Sequence, residues 1–310
     1  MGGAGGAPGD TSTGTASGAG GQGGSGGDGG IASTGGSGPI GGEGGSGGAP
    51  PDTTRIVAAN LTSGDDQNYD LGHGIRILQG LDPDVILLQE LSYGDDSEQD
   101  IIELVDLICG GGCEYVRGPD ATIPNGVISR YPIIDSGSWT DTQVSDRDFV
   151  WAQIDVPGDV DLWAISVHLL GSGAAAREGE AEQLVALFAT NIPDDDLLVL
   201  GGDLNTDNRN EPALTVLDPL FDVGAPYPVD QNGLDTTSQN RSKPYDWVLA
   251  DDDLDPLEVA VVLGSSTFVD GAVIDTRIYM PLSDIAPAQM GDSAATSMQH
   301  MAVVKDFVLD

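Results

Sequence analysis

The feature that most constrains this chain is an abrupt change in composition near residue 51. The first 50 residues contain 24 of the 46 glycines and no lysine, arginine or aromatic residue. Apart from Met1, Ile31 and Ile40 are the only sizeable aliphatic side chains there, and their burial cannot offset the conformational entropy lost on ordering so much glycine. We therefore predict that residues 1–51 form a disordered tether and that residues 52–310 form one domain.

The remainder of the chain consists of short apolar runs rich in β-branched residues. Gly, Asp, Asn and Pro separate these runs, a pattern typical of strands joined by turns. Apolar residues recur with helical spacing in residues 72–80, 98–108 and 174–191, and the last of these helices would turn Arg177 toward solvent. Strands are predicted at residues 55–61, 85–91, 115–117, 126–129, 149–156, 162–169, 197–200, 245–249, 257–263 and 302–308. This order of elements favours a central pair of sheets with helices packed outside.

The net charge of −39 restricts the partners of this domain. The leader contributes three acidic residues, so the folded part carries almost all of this charge. Sequence-independent binding to nucleic acid normally relies on clustered Lys and Arg, whereas this chain has two lysines, Lys243 and Lys305. Recognition through a basic patch is therefore excluded, and adaptation to a saline habitat explains the acidity as well as a partner does.

The two cysteines and the leader bear on where the protein works. Cys109 and Cys113, separated by three glycines, could close a small disulfide loop, and two free thiols are an equally good interpretation. A zinc site is disfavoured because no histidine lies beside them. No run of eighteen apolar residues and no signal peptide occurs in these residues. Because a Gly/Ser/Ala leader is common behind an export signal or lipid anchor, we predict a secreted or envelope-anchored protein.

Polar residues stand where several apolar strands end. Glu90 ends one such strand, so its carboxylate must be ligated, paired or exposed at the rim of the sheet. Asp203 and Asn205 follow another strand, and alternation sends both side chains to the same face. Gly201 and Gly202 would let a hard cation or a phosphate approach the backbone there. The alternatives are a solvated strand end and an Asx-type turn.

Histidine is rare in this chain, which has three. His168 ends one predicted strand and His300 directly precedes the last one, whereas His73 opens a predicted helix and is expected at the surface. A single histidine at a strand end is often structural, but two beside oxygen ligands favour a site. Asp246 begins another strand and could hold one of them, because a carboxylate on one imidazole nitrogen fixes the tautomer and leaves the other nitrogen free for proton transfer.

Taken in chain order, these pieces resemble the endonuclease/exonuclease/phosphatase superfamily, which includes pancreatic-type deoxyribonuclease, abasic-site endonucleases, inositol polyphosphate 5-phosphatases and bacterial sphingomyelinases. The resemblance covers residues 55–310. It implies an α/β (α+β) fold, a four-layer sandwich of two packed mixed sheets flanked by helices, with the site at one edge of the sheets. The matching pieces are Asn60, Gln89 and Glu90, residues 125–133, residues 166–168, residues 201–205, residues 245–247, Gln299 and His300.

The resemblance implies a cation site. Glu90 would bind a divalent cation with Asn60 beside it, and Asp203 and Asn205 would contact the scissile phosphate, the attacking water or a second cation. Because these ligands are oxygens, they favour Mg²⁺, with Mn²⁺ or Ca²⁺ as alternatives, over zinc. The family has an aspartate where this chain has Gln299. A glutamine carbonyl can still ligate a cation but brings no charge, so we expect weaker metal binding.

The resemblance also implies the catalytic groups. Asn205 would contact the scissile phosphate, and His300, oriented by Asp246, would act as general base or stabilise the charge on the phosphoryl group. His168 would face the leaving oxygen. For Arg147 we weigh a contact to phosphate against a surface ion pair with one of its two aspartate neighbours.

We therefore predict a metal-dependent hydrolase of phosphoester bonds, most simply a secreted, monomeric phosphodiesterase or nuclease that acts on DNA or RNA without sequence-specific recognition. Hydrolysis of a lipid headgroup or a small phosphorylated metabolite is the alternative that the acidic charge favours. A non-catalytic binding scaffold of the same fold is a further alternative, supported by the missing aspartate.

Overall fold

The computed structural model describes residues 53–119 and 121–309, so the predicted tether at residues 1–51 lies outside the described residues. Two β-sheets pack face to face, and helices lie against the outer face of each. The predicted four-layer sandwich is therefore confirmed. Among the described residues, no helix is long and apolar enough to cross a membrane.

The strands described are, in chain order, β1 (Thr54–Ala59), β2 (Val85–Leu88), β3 (Glu114–Arg117), β4 (Gly126–Ser129), β5 (Ile133–Trp139), β6 (Phe149–Ile154), β7 (Leu162–His168), β8 (Leu197–Asp203), β9 (Asp246–Ala250), β10 (Glu258–Val259), β11 (Val261–Leu263), β12 (Ser266–Phe268), β13 (Ala272–Ile274) and β14 (Ala302–Phe307). The helices are α1 (His73–Leu81), α2 (Glu98–Cys109), α3 (Ala174–Asn191) and α4 (Pro212–Leu217). Short 3₁₀ turns lie at Asp255–Leu257, Leu282–Ile285 and Asp292–Ala294.

Each sheet is mixed and contains one parallel pair. The first sheet has the order β10-β14-β1-β2-β4-β3, with β13 also paired to β14, and its parallel pair is β1 and β2. The second sheet has the order β5-β6-β7-β8-β9, and its parallel pair is β7 and β8. A separate hairpin joins β11 and β12. The central strands are covered on both faces, which explains why they appear in the sequence as continuous apolar runs rather than alternating ones.

Three apolar layers hold the sandwich together. Alternate residues of β1 point to opposite faces, so Ile56 packs between the two sheets while Val57 packs under α1 and α2. On the second sheet, Ile165 packs under α3 and α4 while Ala164 faces the inter-sheet layer. Burial on both faces fixes the register of the central strands, because a slip of one residue would exchange the two sets of side chains.

Most predicted elements are present within a few residues of their predicted bounds, but one predicted strand is wrong. Residues 257–263 do not form a single strand, because β10 pairs with β14 while β11 turns away into the hairpin with β12. The sequence analysis also missed β5, an edge strand whose polar residues resemble a turn, and the six-residue helix α4. The three-residue strands β12 and β13 were missed because they are too short to show a period.

Helix α3 has the predicted bounds, but one of its side chains was assigned to the wrong side. Arg177 is fully buried rather than solvent-facing. Its guanidinium donates to both carboxylate oxygens of Glu211, at 3.0 and 2.7 Å, and to the backbone oxygen of Leu170 at 3.0 Å. A buried arginine of this kind is retained because every donor that leaves water gains a partner.

The two cysteines form a disulfide, which resolves the alternative that the sequence left open. Helix α2 ends at Cys109, and the following Gly110 has φ 73°, the left-handed conformation that lets the chain reverse. The bridge to Cys113 then closes this small loop at the end of the helix.

Candidate active site

Strand register brings the predicted polar residues to one edge of the sandwich. In the second sheet, His168 pairs with Asp203 across β7 and β8, and Asp203 pairs with Asp246 across β8 and β9. In the first sheet, β1 and β2 end side by side, with Ala59 opposite Leu88, so the residues that follow each strand emerge together. These are the ends at which the sequence carries its polar residues.

A backbone turn directs Glu90 into the site. Its φ is +51°, a left-handed conformation that costs about 1–3 kcal/mol in a residue other than glycine and persists where the surroundings hold it. Asn60 Nδ2 donates to Glu90 Oε1 at 3.2 Å, and Thr62 Oγ1 donates to Oε2 at 2.9 Å. The sequence analysis did not identify Thr62, whose one signal is its spacing of two from Asn60.

The carboxylate of Asp203 is the centre of the site. Its Oδ2 lies 3.3 Å from Asn60 Nδ2, 3.2 Å from Asn205 Nδ2, 3.2 Å from His168 Nε2 and 3.4 Å from His300 Nε2. Its Oδ1 accepts from the backbone N–H of Asn205 at 2.9 Å. Burial raises the pKa of Asp203 to about 7, reinforced by Asp246 and opposed by His300 and by the donors Asn205 and Asn60.

His300 is held as a cation. Its Nδ1 lies 3.1 Å from Asp246 Oδ2, while its Nε2 faces Asp203. Burial by itself lowers the pKa of His300, but the carboxylates of Asp246 and Asp203 outweigh this effect and raise the pKa to about 10. A positively charged imidazolium therefore stands beside the central carboxylate at neutral pH.

His168 is held neutral. Burial lowers its pKa well below the usual 6.5, and the positive charges of Arg147 and His300 add to this effect. With Nε2 protonated and directed at Asp203, Nδ1 has no hydrogen-bond partner among the described residues, and it lies 4.0 Å from Glu90 Oε1. This tautomer assignment follows from the hydrogen-bond geometry.

Arg147 lies behind the histidines and is buried, so the prediction of a surface ion pair is wrong in that respect. Its guanidinium does pair with Asp146, through contacts of 3.0 and 3.1 Å, and Nη1 lies 3.5 Å from the backbone oxygen of His168. Arg147 nevertheless lines the cleft.

An open cleft of about 330 Å³ joins these side chains. Gln299 is exposed and lines it, and so do four residues that were not predicted from sequence, Asp66, Gln67, Ile123 and Gly171. His73 lies outside the cleft and is half-buried, with Nδ1 3.0 Å from Ser63 Oγ. The lining residues are Asp66, Gln67, Glu90, Ile123, Arg147, His168, Gly171, Asp203, Asn205, Gln299 and His300.

Gly201 and Gly202, the pair before Asp203, were predicted to let a cation or a phosphate approach the backbone, but the structure gives a different reason for them. A Cβ on Gly202 would lie 2.1 Å from Val167 O and 2.5 Å from Gln89 Nε2, and a Cβ on Gly201 would meet a leucine side chain of the first sheet at 2.5 Å. Protein atoms, not a cation or phosphate, therefore occupy this space. Gln89 Nε2 also donates to Ser166 Oγ at 3.0 Å, which ties the two sheets together beneath the site.

The side chains around Glu90 fit a hard cation. Two carboxylates, those of Glu90 and Asp203, converge on the Asn60 amide, whose N–H₂ group lies within hydrogen-bonding distance of both. Rotation of that amide would present an oxygen instead, and the unpartnered Nδ1 of His168 adds a second acceptor facing Glu90. A set of oxygen ligands around concentrated negative charge suits Mg²⁺, Mn²⁺ or Ca²⁺.

Asp203, Asp246 and His300 form a second group that could hold a cation, since their ligand atoms lie within 4.8 Å of one another. Both imidazole nitrogens of His300 already face carboxylates, however, at 3.1 and 3.4 Å. A proton on each nitrogen satisfies this arrangement without a metal, so we assign Asp246 and His300 to proton chemistry and the Glu90 side to the cation, with Asp203 facing both.

The fold is shared with solved structures of low sequence identity. An endonuclease/exonuclease/phosphatase family protein from Bacteroides thetaiotaomicron is 14% identical, with a TM-score of 0.56 over 84% of this chain and 100% of the other. A protein from Beutenbergia cavernae is 17% identical, with a TM-score of 0.54 over 83% and 72%. One from Leptotrichia buccalis is 16% identical, with a TM-score of 0.51 over 81% and 98%. No curated protein matches the sequence.

Sequence comparison with family models gives an independent result. The model described as the Endonuclease/Exonuclease/phosphatase family matches residues 63–284, which include most of the strand ends described above. The chain therefore belongs to the Endonuclease/Exonuclease/phosphatase family.

Proposed function

We propose that this protein is a divalent-cation-dependent phosphodiesterase. The observation that carries the proposal is the convergence of a cationic and a neutral histidine on the buried carboxylate of Asp203, beside the pair of Glu90 and Asn60. Hydrolysis of a phosphodiester needs neutralisation of the non-bridging oxygens, an aligned water and stabilisation of the leaving alkoxide. Separate groups in this cleft suit each of these tasks.

The cation would be held by Glu90, Asp203 and Asn60, and the exposed Gln299 could add a neutral oxygen from the rim. When bound, it would neutralise the phosphate and polarise the P–O bonds. Thr62 supports this role, because its hydroxyl holds Glu90 Oε2 at 2.9 Å and so limits the rotation of the carboxylate.

Asp203 and His300 would act on the water and the phosphate. The carboxylate of Asp203 would accept a proton from the attacking water, and Asn205 fixes its orientation through Oδ1. His300 is already protonated at neutral pH, so it serves to stabilise negative charge on the phosphoryl group, with Asp246 holding the imidazolium in place. Of the two roles predicted for His300, its positive charge favours stabilisation of the phosphoryl group.

His168 and Arg147 would act on the opposite side of the phosphate. Neutral His168 could transfer the hydrogen bond that its Nε2 directs at Asp203 to the leaving oxygen when substrate is bound, and Arg147 contributes a permanent positive charge beside it. Asn205, which contacts Asp203, would also contact the phosphate, since its side chain lines the same cleft.

The substrate class depends on how the charge of the domain is balanced. A nucleic acid is the first candidate, because the cleft is open and the phosphodiester of DNA or RNA suits the groups described. A lipid headgroup or a small phosphorylated metabolite is the second candidate. The acidic composition favours it, because a short substrate does not need a basic groove to follow a polyanion.

The disulfide between Cys109 and Cys113 supports export, because such bridges persist in oxidising compartments. We therefore propose that the protein acts outside the cytoplasm, as a secreted or envelope-anchored enzyme. The monomeric state stays a prediction, which sedimentation of the full chain would check.

A substrate panel tests the proposal. Bis-p-nitrophenyl phosphate, plasmid DNA, RNA and sphingomyelin vesicles are each incubated with Mg²⁺, Mn²⁺, Ca²⁺ or EDTA across a salt series. We expect turnover with a divalent cation, none with EDTA, and a loss on the order of 10³-fold in His300→Ala. His73→Ala is the matched control, because it removes a histidine outside the cleft.

The outcomes separate the candidates. If no substrate turns over with any cation, the enzyme proposal is rejected in favour of a binding scaffold. If the small diester or the lipid is cleaved while plasmid DNA and RNA stay intact at every salt concentration, the nucleic-acid candidate is rejected. Turnover that survives EDTA would reject the dependence on a cation.

A further inference from the structure

Two carboxyl groups meet in the protein interior behind the cleft. Glu180 is fully buried and Asp141 is 2% exposed. Asp141 is close enough to raise the pKa of Glu180, and the buried Asp141 Oδ2 receives no hydrogen bond from any donor among the described residues. Two ionised carboxylates are both acceptors, so they cannot satisfy each other. Something positive must lie between them, and the simplest such group is a proton.

Glu180 is connected to the turn that follows His168, one of the two histidines of the cleft. Both of its carboxylate oxygens lie 3.0 Å from the backbone N–H of Leu170, two residues after His168. Arg177, one turn earlier on α3, holds the carbonyl of the same leucine at 3.0 Å. The turn that follows His168 is therefore fastened to α3 through both backbone polar groups of one residue.

Asp141 lies in the segment formed by residues 140–148, which joins β5 to β6 and contains Arg147. Gln183 Nε2 donates to the backbone oxygen of Thr140 at 2.6 Å, so α3 holds this segment at its beginning. Thr142 also donates to Gln183 Oε1, from its backbone N–H at 3.0 Å and from Oγ1 at 2.6 Å, and the contact between Asp141 and Glu180 is a further attachment. The carboxyl pair thus joins the two parts of the chain that position Arg147 and His168.

The charged groups that face Glu180 favour a shared proton over a bound metal. From the 140–148 segment these are Asp141 and Arg147, and the turn after His168 contributes the Leu170 N–H. On α3 itself, Arg177 is engaged by Glu211. Burial, reinforced by Asp141 and opposed by the Leu170 N–H and Arg147, raises the pKa of Glu180 to about 8. A metal would have to sit near a guanidinium and compete with an N–H donor that already occupies both oxygens.

We propose that Asp141 and Glu180 share one proton, and that this protonated pair is a positioning device that holds the Arg147 segment and the turn after His168 against α3. The proton itself does not depend on the proposed function, whereas any effect on turnover does. When the proton is lost, two negative charges remain in buried contact. Asp141 is then repelled from Glu180 while the hydrogen bonds of Gln183 to the segment remain, and the position of Arg147 in the cleft is disturbed.

The proton can be tested without any substrate, by measuring unfolding of wild type and Glu180→Gln at a series of pH values. The amide donates to Asp141 permanently and still accepts from Leu170, so the variant keeps the contact without a titrating proton. In wild type the folded-state pKa is raised above the usual 4.5 to about 8, so this stabilisation is complete below pH 4.5 and is lost as pH rises to about 8. The folding equilibrium constant of the variant relative to wild type should therefore rise by up to about tenfold per pH unit in this window.

Glu182→Gln is the matched control, because it removes an equal charge from an exposed position on the same helix. Other groups that titrate in this range cancel in the ratio of variant to wild type. If the ratio for Glu180→Gln stays flat with pH, as we expect for Glu182→Gln, the shared proton is rejected. A ratio that responds to Ca²⁺ or EDTA rather than to pH would also overturn it, in favour of a cation between the carboxylates.

Two further measurements keep the proposal testable if Glu180→Gln does not fold. Infrared difference spectra of Asp203→Asn, which lacks the other buried carboxyl group that titrates near this pH, should show the C=O band of a buried carboxylic acid that disappears as pH rises through about 8. Absence of that band rejects the proton. With the small diester as substrate, KM of wild type should rise more than kcat falls over the same range, and Asp141→Asn should abolish this rise. Turnover lost without a change in KM would contradict the positioning of Arg147.

Discussion

His168 and His300, the two histidines that line the cleft, differ in protonation although their burial is nearly the same. His168 is 7% exposed and His300 is 5% exposed, and each directs Nε2 at the same oxygen of Asp203, at 3.2 and 3.4 Å. The pKa of His300 is nevertheless raised to about 10, while that of His168 is lowered well below 6.5. Burial alone lowers both, so it cannot explain the difference.

The difference comes from the second nitrogen of each ring and from nearby charge. Nδ1 of His300 meets the carboxylate of Asp246, which stabilises the imidazolium. Nδ1 of His168 has no hydrogen-bond partner among the described residues, and the positive Arg147 lies beside the ring. The group behind an imidazole thus decides whether a buried histidine serves as a cation or as a neutral hydrogen-bond donor.

The largest effect should come from removing the carboxylate that both histidines share. Asp203→Asn cannot accept a proton from water, and we expect kcat for the diester to fall by about 10³–10⁴-fold. Asp207→Asn is the control, because it removes an exposed carboxylate from the loop that follows. A kcat within about tenfold of wild type would show that Asp203 is not the base.

Removing the Asp246 carboxylate, which contacts His300, should make the protonation of His300 more like that of His168. In Asp246→Asn we expect kcat to fall by about 10²-fold at pH 7 and the pKa of His300 to fall from about 10 toward 6.5. Because the protonated form is the active one, activity is lost as pH rises through this pKa, so the alkaline limb of the profile must move to lower pH. The pH–rate profile and NMR titration of the imidazole measure both. An alkaline limb that does not move would separate His300 from the reaction.

The sequence predicted the strand ends well because the central strands are buried on both faces. Continuous apolar runs mark where β2, β7 and β8 lie, and a polar residue after such a run must emerge at an edge of the sheet. The resemblance then supplied the order of the pieces. Asn60, Glu90, Asp203 and His300 meet for this reason.

Features that depend on partners distant in sequence could not be predicted. Arg177 has the spacing of a solvent-facing residue on α3, and its burial depends on Glu211, 34 positions later. The glycine pair before Asp203 is explained by Gln89 of the other sheet. The edge strand β5 gains its conformation from pairing with β6 rather than from its own residues. In each case the local pattern was compatible with two structures, and a long-range contact decided between them.

A smaller effect should come from Arg147, which lies beside the neutral His168. Arg147→Met removes the positive charge beside His168, so the pKa of this histidine should rise toward 6.5, as NMR would measure. Loss of the guanidinium from the cleft should raise KM for the diester by about tenfold, the effect of one charged hydrogen bond to phosphate. Arg130→Met is the control, because it removes an arginine that pairs with Asp82, a residue that does not line the cleft. An unchanged KM would leave Arg147 a structural role only.

The smallest effect should come from Gln299, at the rim of the proposed cation site. This exposed residue lines the cleft but adds no charge to the pair formed by Glu90 and Asp203. In Gln299→Asp we expect Mg²⁺ affinity, measured by calorimetry, to increase by about three- to tenfold. Gln239→Asp adds the same charge to the neighbouring loop and controls for the general field, which is screened over a distance of about 10 Å. Equal gains in the two variants would mean that position 299 acts through its charge at a distance, and that the cation is bound by Glu90, Asn60 and Asp203 without it.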